Sequence, residues 1–115
     1  MIDTVWQAAE SISTGDIVVT STAFDRGIAK AVSGRTDIVG ISQVAIASGA
    51  IGLIRVFGPG LVNVGSNVVT KGSLIIASVT GGIGITAPAA AVRGQIAGMA
   101  LSTGTGLISV FIQHI

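Results

Sequence analysis

The chain has 115 residues, half of them hydrophobic, only 10% charged, with a net charge of +1. That length holds one domain with a core of useful size, and without clustered Lys or Arg it lacks the basic footprint of nucleic-acid binding. The absence of cysteine excludes disulfides and thiolate metal sites, and the opening residues do not read as a secretory signal.

Residues 1–13 include Val5-Trp6-Gln7-Ala8-Ala9-Glu10, which reads as a helical turn or an extended arm. Residues 17–20, Ile-Val-Val-Thr, are a β-branched run bounded by Gly15 and Ser21-Thr22, and predict a strand. Residues 28–32 alternate apolar with small or polar side chains and end at the turn signal Ser33-Gly34. A longer strand over 38–45 carries Gly40 inside it, a sign of a bulge or of close approach by another backbone. After Ser48-Gly49-Ala50, residues 52–57 place Leu53, Arg55 and Phe57 on one face and Ile54 and Val56 on the other. Gly58-Pro59-Gly60 is expected to break the ladder, leaving residues 61–64 as a separate strand. Further strands follow over 74–78, 83–86, 95–101 and 107–112, joined by glycine turns at Thr80-Gly81-Gly82 and residues 102–106. Residues 87–91 are the one stretch suited to a helical turn.

Short strands separated by glycine turns at intervals of about ten residues predict an all-β fold, a compact antiparallel β-barrel or sandwich. The chain also repeats itself. Thr14-Gly15-Asp16-Ile17-Val18-Val19 is echoed by Lys71-Gly72-Ser73-Leu74-Ile75-Ile76. Arg35-Thr36-Asp37-Ile38-Val39-Gly40 is echoed by Arg93-Gly94-Gln95-Ile96-Ala97-Gly98, and residues 52–57 by 106–111. The expected organisation is therefore an N-terminal arm (1–13) and a single β domain (14–115) made of two similar hairpin-rich halves, about 14–57 and 71–111. The repeated residues are glycines and strand formers, so what is repeated is a scaffold. All five acids (Asp3, Glu10, Asp16, Asp25, Asp37) lie in the first third, which gives the chain a polarity suited to docking.

Catalytic chemistry is thinly supplied. His114 is the only histidine and reads as an exposed tail residue, which rules out a histidine metal cluster within one chain. There is no Gly-x-Ser-x-Gly elbow, and neither a dinucleotide-binding glycine motif nor a P-loop. Asp16 and Asp25 read as solvated turn acids. Arg35 with Asp37, and Asp25 with Arg26, are expected to pair at the surface for under ~1 kcal/mol. No enzymatic activity, cofactor or metal is expected. The two long uncharged stretches, 72–92 and 94–115, have the length of a bilayer span, but glycines, Pro88 and the charged counterpart segment argue against a membrane partner.

Two positions suggest contacts between proteins. Arg55 suits a subunit interface, where arginine is enriched, or an outward charge that discourages edge pairing. Trp6 either caps its own barrel or anchors the arm in a neighbour.

Residues 65–77, then Thr80-Gly81-Gly82-Ile83, then residues 93–100 resemble a module of bacteriophage structural proteins. Gly15-Asp16-Ile17-Val18-Val19 and Val39-Gly40-Ile41 before Ser48-Gly49 resemble the start of small capsid decoration (cement) proteins. The resemblance implies a β-rich virion protein on the outer surface of the capsid, clustered as a homotrimer, which binds the major capsid protein and stabilises the shell. On that reading Val5 and Trp6 are the candidate capsid contact. Arg55 and Phe57, with Val44, Ile46 and Val56, are candidates for the contact between copies. The rival readings are a tail-fibre or receptor-binding knob module and a soluble ligand- or carbohydrate-binding β-barrel. Sugar sites stack rings on aromatics, and this chain has only Trp6, Phe24, Phe57 and Phe111.

Overall fold

The computed structural model describes residues 1–89, 91 and 94–113. The expectations placed on Arg93 and His114, and part of the 87–91 loop, lie outside the described residues. Within them there are nine strands and no helix: β1 (Ile2–Ala8), β2 (Ile17–Ser21), β3 (Gly27–Lys30), β4 (Ile38–Ser42), β5 (Ile51–Asn63), β6 (Leu74–Ala77), β7 (Gly84–Thr86), β8 (Ile96–Ala100) and β9 (Leu107–Ile112). The all-β expectation holds.

The sheet order is β1-β3-β2-β4-β5-β9-β8-β6-β7, and β1 also pairs with β5. The first five strands therefore close into a barrel. Every pairing is antiparallel except β1 with β3, where Gln7↔Gly27 and Ala8↔Ile28 run parallel and complete the ring. Residues 2–8 are thus built into the barrel wall, with β5 on one side and β3 on the other.

Gly58-Pro59-Gly60 does not interrupt the chain's extended path, contrary to the reading from sequence. β5 runs straight through it and changes partners there, pairing with β1 over residues 51–57 and with β9 over 58–63. Gly58 takes φ +112° at the changeover, with Met1 packed against it. Proline is tolerated in mid-strand because the edge it weakens carries no neighbouring strand at this point. Arg55 Nη1 donates to the Pro59 carbonyl at 3.1 Å. Leu61, next along that edge, bonds through both its N–H and its C=O with the Gln43 side chain at 2.8 and 3.0 Å.

The two halves follow one plan. In the first, Val18 pairs with Gly40 and Val19 with Ile38, which leaves Val39 as a bulge. In the second, Ile75 pairs with Gly98 and Ile76 with Ile96, which leaves Ala97 as a bulge. At both sites the next strand's backbone comes close. A Cβ on Gly40 would lie 2.2 Å from the Arg55 carbonyl oxygen, and one on Gly98 would lie 2.5 Å from that of Phe111. Glycine is required there for space. The same pairing equates Ile41↔Arg55 with Met99↔Phe111. Arg55 therefore corresponds to Phe111, not to the Ser109 suggested by the sequence echo.

Two cores result. Ala8, Ile12, Val18, Ile28, Ile46 and Ile54 fill the closed barrel. On its outer wall, Ile17, Val19, Ile38 and Ile41 pack with Val62, Val64, Ile75, Ala100, Ile108, Val110 and Ile112 of the second half. β2 is buried on both faces for this reason, which is why its sequence is an unbroken apolar run and not an alternation.

Candidate interaction face and its aromatic groove

Alternation along β1, β5 and β9 sends one set of side chains into the cores and the other set outward. Pairing places Val5 opposite Leu53, Asp3 opposite Arg55, Pro59 opposite Phe111, and Met99 between Phe111 and Leu74. Ile2, Val5, Leu53, Phe57 and Leu107 on this side are about half exposed, between 43% and 54%. Phe57 meets Phe111 edge to face, ring centroids 5.3 Å apart. The outcome is an apolar sheet face that no part of the described chain covers, and uncovered apolar patches of this kind mark interaction sites.

Arg55 lies in the middle of that face and is already engaged. Its Nε donates to Asp3 Oδ1 at 3.0 Å, in addition to the Pro59 bond. Asp3 is 52 residues away in sequence, so no local pattern could reveal this pair.

Val5 and Trp6, considered together at the sequence level, face opposite ways. Val5 is on the exposed face, whereas Trp6 is half-buried against the barrel core. Trp6 Nε1 donates to Thr4 Oγ1 at 2.7 Å, and the Arg26 guanidinium lies 4.5 Å from the Trp6 ring centroid. Arg26 does not pair with Asp25 as expected, because its Nε donates to the Val5 carbonyl at 2.7 Å. The β2–β3 turn carrying Phe24, Asp25 and Arg26 is fastened to β1 by the Gln7 N–H, which donates to the Arg26 carbonyl at 2.7 Å. Between turn and strand lies a groove of about 520 Å³, lined by Val5, Trp6, Gln7, Phe24, Asp25, Arg26 and Ile51.

Among the other expected contact residues, Val44 is exposed and Val56 half-buried. Ile46 is buried in the barrel, bridged through its backbone to Ile12, and offers nothing to a neighbouring copy. Asp16 is likewise buried instead of solvated; burial raises its carboxyl above the usual range, against a hydrogen bond from the Ser13 N–H at 2.8 Å. Arg35 and Asp37 do pair, and the Arg35 hydrogen bond, helped by the Thr20 hydroxyl, lowers the Asp37 carboxyl to about 2. No cluster of three or more His, Cys, Asp or Glu side chains that could hold a metal occurs among the described residues.

No protein-family model and no curated protein matches this chain. Among solved structures it is similar to the head fiber gp8.5 N base of bacteriophage phi29, with a TM-score of 0.69 over 98% of this chain and 94% of that one. The two sequences are 12% identical, so the likeness is one of fold, from end to end.

Proposed function

We propose that this chain is a structural protein of a bacteriophage virion, held on the outer surface of the head as a homotrimer against the major capsid protein, where it stabilises the assembled shell. The observation that carries the reading is the end-to-end likeness of fold to a phage head-fibre base. The uncovered apolar face supports it. Val5 and Leu53 form the part assigned to the shell, and Phe57 with Phe111 the part assigned to contact between copies, with the Arg55–Asp3 pair as a polar element between them. Trp6 acts from beneath, holding β1 in place.

The mechanism is thermodynamic and needs no catalytic group or cofactor. A protein that binds only the assembled shell stabilises it by mass action, and many weak contacts on a symmetric lattice add through multivalency. A second reading, as the base of a fibre standing on the head, is favoured by the likeness to the base of a phage head fiber. Both readings place the chain on the head and differ in copy number.

Phe57→Asp tests the contact between copies. Phe57 is 43% exposed; covering that surface is worth ~2 kcal/mol per copy, and a charge placed there reverses the sign. By light scattering the wild-type chain is expected to run as a trimer and the variant as a folded monomer, with a thermal midpoint lowered by loss of the Phe57–Phe111 ring contact. A variant that associates as well as wild type would remove Phe57 from the interface.

A further inference from the structure

We propose that the groove between β1 and the β2–β3 turn is a binding site for a neutral sugar, a function distinct from docking on the head although the groove shares Val5 with the part assigned to the shell. Two of the four aromatic side chains, Trp6 and Phe24, converge on this one groove. Phe24 is 36% exposed although it sits beside apolar Val5 and Ile51, so it offers a ring face to a ligand while contributing little to the core. Its position is fixed because the turn is hydrogen-bonded to β1.

The polar groups are arranged to the same end. Arg26 is immobilised by its stack on Trp6 and by the Nε bond to Val5, which leaves both terminal amino groups as donors without a protein partner among the described residues. Asp25, its sequence neighbour, makes neither ion pair nor hydrogen bond among the described residues. An acceptor carboxylate and a pre-set donor fork therefore sit side by side without neutralising each other. A sugar hydroxyl both donates and accepts, so one hexose can give its hydroxyl protons to Asp25 and take hydrogen bonds from Arg26. Its C–H face can lie on Phe24, with Val5 and Ile51 as the apolar lip. The charges of the site cancel, which disfavours phosphate through Asp25 and basic ligands through Arg26. At about 520 Å³ the groove lies within the usual range for small-ligand sites and has room for one or two sugar rings.

Trp6 is the only tryptophan, so its emission reports on the groove without a label. The intact chain is to be titrated with N,N′-diacetylchitobiose, cellobiose and maltose. At least one is expected to give a saturable change with a Kd in the ~1 mM range. Phe24→Ala and Asp25→Ala are each expected to weaken it at least about tenfold, the equivalent of ~1.4 kcal/mol. Both residues are at the surface, so their variants should keep the wild-type thermal midpoint, and Asp25→Asn should recover part of the loss. The proposal is overturned if none of the three sugars saturates, or if Asp25→Ala leaves the response intact. Saturation by an acetylated Gly-Leu-Glu amide in place of the sugars would also overturn it, in favour of a peptide contact. Phe57→Asp leaves the groove untouched, so loss of association between copies and loss of sugar binding can be told apart.

Discussion

Replacing Gly40 by alanine puts the packing argument to a direct test. The added Cβ would lie 2.2 Å from the Arg55 carbonyl oxygen, and real Cβ atoms do not approach other atoms inside 3.0 Å. The Cβ position is fixed by the backbone and its partner is a backbone oxygen, so no side-chain rotation relieves the contact. β4 must move away from β5 by at least roughly 0.8 Å, at the place where Ile41↔Arg55 and Ser42↔Ile54 hold the barrel shut. Losing two strand hydrogen bonds costs about 1 kcal/mol each, and loosening the packing of Ile41 and Ile54 costs about as much as one bond more. The entropy that alanine removes from the unfolded chain offsets ~0.5 kcal/mol. The net cost is roughly 2–3 kcal/mol, a fall in Tm of about 10 °C for a chain of this size. Calorimetry on Gly40→Ala and Gly98→Ala should give the same sign for both, since the second Cβ meets the Phe111 carbonyl oxygen at 2.5 Å. Gly34→Ala is the control. Gly34 has φ +89° with nothing within 4 Å, so only the backbone cost of ~1 kcal/mol applies. If Gly40→Ala proves as stable as Gly34→Ala, the close approach of β4 and β5 is wrong.

Three further outcomes follow from the electrostatics. Asp16 has its folded carboxyl raised by burial, so its contribution to stability is fullest at acid pH and falls as pH rises through the folded value. Asp16→Asn should therefore have the higher Tm at pH 7, with the gap closing as the buffer approaches pH 4; a variant less stable at both pH values would contradict this. Asp37 has the opposite sign. Its carboxyl is held at about 2 against 3.8 unperturbed, so its contribution is complete above 3.8 and is lost as pH falls from there towards 2. Because the pair is more than a third exposed, the effect is under ~1 kcal/mol, visible as a shallower acid limb in Asp37→Asn melts. Arg55→Ala leaves Asp3 and the Pro59 carbonyl without their partner and should cost roughly 1–2 kcal/mol in urea denaturation, whereas no change would mean that the pair is idle.

Much of the fold could be read from the chain, because β2, β6, β8 and β9 are apolar runs closed off by glycine turns. Gly40 was also legible, since a glycine inside a strand has few explanations. β5 was not. Gly58-Pro59-Gly60 is punctuation by local preference, yet side chains from Arg55 and Gln43 satisfy the edge that proline weakens, and a local reading contains neither. The Asp3–Arg55 pair and the groove were hidden for the same reason. Trp6 and Phe24 line one groove only because β1 closes the barrel beside β3, and that parallel pairing leaves no mark in the sequence around either residue. Val5 and Trp6 illustrate a smaller point: adjacent residues in a strand alternate in exposure, Val5 lying open and Trp6 packing on the barrel core, and adjacency in the sequence does not show this.

A component of a phage head, as proposed for this chain, must be present in the particle. The most direct measurement is its copy number in purified particles from the source of the sequence, by quantitative mass spectrometry against the most abundant shell protein. Head-associated copies are expected in a fixed ratio to that protein, near parity for a decorating trimer and a smaller regular fraction for a fibre base. Absence from the particles, or a handful of copies confined to the tail, would contradict it.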